Sequence, residues 1–264
     1  MFRKLPARRT RSSVFLPIMR QLAWPMAVIF LPVLYGQGKW VRKKSPRLPH
    51  APAPWSGKIG GPKPISVLGL GDSTIAGVGV SDANKGLVAQ FCRHLATLSG
   101  RGVTWEALGE SGATSKDILA NFLPKAISHK ADLILVSLGA NDAKDLKPLW
   151  STVSRFRKLL TSLHHAYPNS LIIFSSLPAF RYFHVLPQPT RFLINSHAEA
   201  IDRSIRKMVE ARSFAMMTPR PPKYPEGFFA RDNFHPSEQG YEGWAKFAIE
   251  DALERGALRQ FGSG

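Results

Sequence analysis

The run Ile65-Ser-Val-Leu-Gly-Leu-Gly-Asp-Ser73 constrains this chain more than any other feature. Val67, Leu68 and Leu70 suit a buried strand, and Gly69 and Gly71 keep side chains out of the way where that strand stops. A hydroxyl therefore falls at the carboxyl end of a first strand, just ahead of a helix. In open α/β sheets this edge is where ligands bind. Ser73 is a candidate nucleophile there, provided that a base and oxyanion donors come from elsewhere.

A base is available in Asp232-Asn-Phe-His235-Pro236, a loop ahead of the helix-spaced apolar residues Tyr241, Trp244, Phe247 and Ala248. An Asp three residues before a His can curl back and accept a hydrogen bond from the imidazole Nδ1–H. This leaves Nε2 to face the serine as general base. Oxyanion donors are offered by two further loops. Gly112 lies in Gly109-Glu-Ser-Gly-Ala after a strand over 103–107, and its backbone can approach a ligand closely. Asn141 follows the apolar run 133–138, and its Nδ2 could donate beside the Ser73 and Gly112 amides.

Apolar runs alternate with helical patterns along the chain. Strands are expected at 65–70, 103–107, 133–138, 171–175 and, weakly, 214–217, with helices at 85–99, 115–127, 148–165 and 191–211. Five strands, each followed by a helix, imply a five-stranded parallel sheet covered on both faces. The expected fold is an α/β/α three-layer sandwich of flavodoxin-like topology.

The four blocks, in this order, resemble those of the SGNH hydrolases, also known as GDSL-type esterases and lipases. The matching positions are Ser73, Gly112, Asn141 and His235, with Asp232 as third member of the triad, and the likeness spans about residues 65 to 252. Two departures touch no catalytic atom: Gly-Leu-Gly-Asp-Ser-Thr stands for the frequent Phe-Gly-Asp-Ser, and Gly-Ala-Asn-Asp for Gly-Gly-Asn-Asp. The resemblance implies a serine esterase working through an acyl-enzyme, with no cofactor and no metal. The same catalytic set also serves O-acetyl esterases of glycans and thioesterases, and a non-catalytic tethered binding protein could keep the scaffold. Taken singly, Ser73 reads as a helix cap, Asn141 as a turn residue and His235 as a surface histidine; their conjunction favours the enzyme. Ser111 lacks the last glycine of a Gly-x-Ser-x-Gly elbow.

The charge of +18 over 264 residues is unevenly placed. Residues 1 to 71 hold 13 Lys/Arg and no acid, leaving 23 basic against 18 acidic side chains from Asp72 onward. The chain accordingly divides into a basic arm (1–47) with an apolar segment at about 14–36, a linker (48–63) and a hydrolase domain (64–264). Three uses of the arm compete: an uncleaved signal-anchor, an interfacial anchor, and a cleaved signal or structural tail. Membrane association, at a bacterial inner membrane, is the expectation, and a nucleic-acid partner is the weaker alternative.

Further residues divide between pocket and packing. The loop 178–189 carries Phe180, Tyr182, Phe183, Val185 and Leu186 without regular period, and these are candidate acyl-binding residues; Phe228, Phe229 and Phe234 could join them. A lipid or small-molecule ester would then be the substrate. Cys92, Met216 and Met217 read as core residues. His164 and His165 have no carboxylate or Cys cluster to complete a metal site.

Overall fold

Residues 31–262 are described by the computed structural model. Their frame is a sheet of six strands: β1 (Ser56–Ile59), β2 (Ile65–Gly71), β3 (Val103–Gly109), β4 (Leu133–Ser137), β5 (Leu171–Phe174) and β6 (Ala215–Met217), in the order β1-β3-β2-β4-β5-β6. Strands β2 to β6 run parallel, and β1 pairs antiparallel with β3 through Ser56 opposite Glu106. The long helices are α1 (Leu31–Lys44), α2 (Leu87–Ser99), α4 (Leu149–Ala166), α5 (Thr190–Val209) and α6 (Glu238–Glu254), with the five-residue α3 (Ala140–Lys144) between α2 and α4.

Period-two alternation divides each central strand between two cores. Leu133 and Leu135 of β4 join Val67, Ile173 and Met216 beneath α2 and α6, whereas Ile134 and Val136 join Leu68, Ile172 and Met217 beneath α4 and α5. The second core also takes residues 115–126, a helical stretch whose middle, Ile118–Phe122, is wound as a π turn. Cys92 is fully buried in the first core, and burial pushes its thiol well above the usual range.

Two expectations are corrected. The sheet has six strands rather than five and is not wholly parallel, because part of the segment read as a linker is β1. That strand alternates exposed and half-buried residues along Ser-Gly-Lys-Ile, too short and too polar to signal itself. The neighbouring stretch is also packed. Ala51 is buried and donates to the Ala76 carbonyl at 3.2 Å, and His50 Nε2 accepts from the Ser111 N–H at 3.3 Å. The apolar segment at about 14–36 lies largely outside the described residues. Among those described, no helix is long and apolar enough to cross a membrane.

Candidate active site

Close approach of three backbones sets the floor of the site. Gly71 ends β2 opposite Gly109 of β3 and Ser137 of β4. A Cβ on Gly71 would collide with the Ser137 carbonyl, and one on Gly69 with Val88, so only glycine lets the strand end lie so tightly against β4 and α2. The chain then turns: Asp72 N–H donates to the Ser137 carbonyl at 3.0 Å, and Asp72 Oδ1 accepts from the Thr74 N–H at 3.1 Å. The Thr74 hydroxyl stands 3.0 Å from Asp72 Oδ1 and 2.7 Å from Ser137 Oγ. These bonds fix the turn that carries Ser73, itself only 8 % exposed.

The base loop closes over this turn. Ala230 N–H donates to the His235 carbonyl and Ser237 N–H to the Phe228 carbonyl, each at 2.8 Å, forming a narrow loop held by the bridge between Phe229 and Pro236. Asn233 takes φ +54 at its tip. Asp232 Oδ1 accepts from the Phe234 and His235 N–H groups, both at 3.0 Å, and Oδ2 lies 2.6 Å from His235 Nδ1. With the Nδ1 proton given to Asp232, Nε2 is left to accept from the Ser73 hydroxyl at 3.1 Å. The Tyr241 hydroxyl donates to the Val78 carbonyl at 2.8 Å, tying α6 to the segment after the serine. Burial pushes the Asp232 carboxyl upward, but the His235 side chain and the two backbone donors outweigh it, and the net shift is downward.

The loops that carry Gly112 and Asn141, the expected oxyanion donors, are tied together by buried hydrogen bonds. Gly112 has φ +84, a left-handed conformation that strains any residue with a Cβ. Among the described residues, neither the Ser73 nor the Gly112 N–H donates to a protein acceptor. Asn141 sits on the first turn of α3. Its Nδ2 gives one proton to the Ala113 carbonyl at 3.0 Å, and its Oδ1 accepts from Lys144 Nζ at 2.9 Å. The amide is thereby held in one orientation, with a second Nδ2 proton to donate. Next to it, Asp142 is fully buried and accepts from the Ser115 N–H at 2.8 Å and hydroxyl at 2.7 Å, which joins α3 to the Gly112 loop. Burial raises its carboxyl despite those bonds.

Beside Ser73 and His235 lies a cavity of about 330 Å³. Apart from Asp72, Ser73, Thr74 and His235, its lining is mostly apolar, and its principal walls are Phe183, Pro222, Tyr224, Phe228, Trp244 and Phe247. This corrects the reading of the aromatic loop. Of its five candidates only Phe183 lines the cavity. Phe180 and Leu186 are buried in the core, Val185 packs against that core, and Tyr182 borders a separate surface depression and donates to the Pro222 carbonyl. Phe228 and Phe234 do reach the cavity. The walls that sequence reasoning missed are Pro221–Pro225, a coil without periodicity, and the inner side of α6, whose Trp244 and Phe247 read as ordinary core spacing. The proline-rich coil is tied down at Tyr224, whose hydroxyl accepts from the Ala179 N–H at 3.0 Å and is pushed up to about 12 by burial. His164 stacks on Phe214 at 3.6 Å between ring centroids, and no metal-holding cluster of His, Cys, Asp or Glu occurs among the described residues.

The model of the GDSL-like Lipase/Acylhydrolase family matches residues 70–242. Comparison with curated sequences gives no match. Many solved structures share the fold. A family 3 carbohydrate esterase of Clostridium thermocellum superposes with TM-score 0.59 at 18 % identity, covering 76 % of this chain and 100 % of its own. The lipase Lip_vut3 from a goat rumen metagenome gives TM-score 0.58 at 18 % identity, with 76 % and 98 % covered. The psychrotrophic esterase EstA from Pseudoalteromonas sp., in a structure inhibited by monoethylphosphonate, gives 0.53 at 15 % identity, with 72 % and 97 % covered. At these identities the likeness establishes a common fold.

Proposed function

The chain belongs to the GDSL-like lipase/acylhydrolase family of carboxylic ester hydrolases, and from that premise we propose that it cleaves esters of apolar acyl chains with Ser73 as nucleophile. One observation carries the reading: the hydrogen-bonded series Ser73–His235–Asp232 borders a cavity walled by proline and aromatic side chains. In this reading Ser73 Oγ attacks the ester carbonyl while His235 Nε2 takes its proton. Asp232 stabilises the imidazolium so formed and keeps Nδ1 protonated. The carbonyl oxygen becomes an oxyanion, received by the Ser73 and Gly112 N–H groups and by Asn141 Nδ2. The C–O bond to the leaving group breaks, and the alcohol departs with the proton from His235. Water, deprotonated by the same nitrogen, then attacks the acyl-enzyme, and Ser73 is restored as the acid leaves.

The mostly apolar wall favours an aliphatic acyl chain, including those of lysophospholipids and acylglycerols, over an acetylated sugar, whose hydroxyls would find few partners there. The test is a hydrolysis series of p-nitrophenyl esters from acetate to decanoate, run beside acetylated xylan and an acyl thioester, with Ser73→Ala as control. A kcat/KM that rises from acetate to octanoate supports the reading. Preference for acetate or for the acetylated glycan contradicts it.

A further inference from the structure

Helix α1 lies outside the catalytic machinery, and its two faces differ sharply. Leu34, Gln37, Val41 and the following Ser45 recur every three or four residues and are half-buried; the side chains between them from Pro32 to Lys44 are exposed. The inner stripe docks the helix. Gln37 Nε2 donates to the Gln188 carbonyl at 2.6 Å, Gln37 Oε1 accepts from the Thr190 hydroxyl at 2.6 Å, and Val41 packs against the core. Thr190 opens α5, so this contact sits at the end of the β5–α5 connection, the same loop that gives Pro178 and Phe183 to the cavity. Helix α1 is thereby fastened to the edge of the sheet at which Ser73 stands.

The outer face combines aromatic rings with cations. Tyr35 is 64 % exposed and Trp40 50 %. Lys39 Nζ lies 4.5 Å over the Tyr35 ring and Lys44 Nζ 4.7 Å over that of Trp40. Arg42, Lys43 and Arg47 extend the basic surface, and among the described residues none of these five cations is paired with a carboxylate. Residues 1–71 contain no acid at all. The outer face thus sets two exposed aromatic rings among cations that have no carboxylate partner among the described residues. Amphipathic rings partition to the headgroup level of a bilayer, and juxtaposed lysines and arginines are drawn to anionic headgroups.

We propose that the outer face of α1 is a docking surface for an anionic lipid bilayer, holding the catalytic edge of the sheet at the interface. Lipid binding by this face stands apart from the ester reading; the advantage of presenting the cavity to lipid rests on it.

The test uses the full chain in co-sedimentation with vesicles of phosphatidylcholine alone and of phosphatidylcholine mixed with phosphatidylglycerol. It compares the parent with K39Q/R42Q/K43Q/K44Q and with Y35S/W40S. The parent should prefer the anionic vesicles, and each variant should lose roughly tenfold or more of that binding. Hydrolysis of a soluble p-nitrophenyl ester should be unchanged, which also shows that the variants fold, while hydrolysis of an ester embedded in the anionic vesicles falls with binding. The proposal is overturned if the parent ignores phosphatidylglycerol, if both variants bind like the parent, or if the variants lose duplex-DNA binding instead of vesicle binding. Binding is read without turnover, so an inactive parent counts against the ester reading alone.

Discussion

Asp72 and Asp232 both feel the charge of His235, yet their surroundings push them in opposite directions. Asp232 accepts one bond from the imidazole and two from backbone N–H groups, and together these overcome its burial and hold it below the usual carboxylate range. Burial prevails at Asp72 and raises it to about 6, against the amide and hydroxyl of Thr74 and the attraction of His235 and Lys144. The balance between burial and the hydrogen-bond donors each carboxylate receives, rather than nearness to the histidine, decides which of them is a dependable anion. Asp232 is therefore suited to orient the base, and Asp72 to shape the turn before the nucleophile.

Four substitutions sharpen this contrast. The largest effect is expected at Asp232→Asn. It preserves the shape of the loop but can impose the wrong imidazole tautomer, so kcat should fall by about 10³–10⁴ in steady-state ester hydrolysis. A loss below tenfold would remove Asp232 from the triad. Next, Asn141→Ala deletes one oxyanion donor and should cost about 10²–10³ in kcat with little change in KM. An effect confined to KM would make the amide a ground-state contact.

Asp72→Asn should act on stability rather than turnover. A carboxyl raised from 3.8 to about 6 on folding disfavours the folded state once it ionises, so stability falls as pH rises through that window. The amide variant should accordingly be more stable than the parent by about 3 kcal/mol at pH 7.5, an advantage that disappears near pH 4. Thermal melts at the two pH values check this, and equal melting at both would show that Asp72 is not destabilised. Asp232 has the opposite sign: its contribution is present above the unfolded value and is lost as pH falls through its lowered native one. The smallest effect is expected from Trp244→Ala in the cavity wall. It should lower the ratio of octanoate to acetate kcat/KM by roughly tenfold while leaving acetate turnover within about threefold. An unchanged ratio would mean that the chain binds elsewhere.

The hydrogen-bonded series Ser73–His235–Asp232 was legible in the sequence because its members occupy positions that chemistry marks: the end of an apolar strand and an Asp three residues before a His. The cavity was legible only at its margins. Phe180 and Leu186 lie in an aromatic loop, but lack of periodicity conceals which side chains face inward, and both are core residues. Conversely, Trp244 and Phe247 carry a regular helical spacing that reads as core and nonetheless line the cavity. Strand β1 escaped because its four residues, Ser56 and Lys58 exposed and Gly57 and Ile59 half-buried, carry too little hydrophobic alternation to detect. In each case the missing information was the position of a neighbouring element, which spacing along one segment does not contain.

In the proposed reaction Ser73 is the nucleophile and His235 activates it. Inactivation with a fluorophosphonate, followed by peptide mass spectrometry, reads it directly. A single adduct on Ser73, lost in Ser73→Ala and strongly slowed in His235→Ala, is the predicted result. An adduct on Ser111, or labelling at full rate without His235, would contradict it.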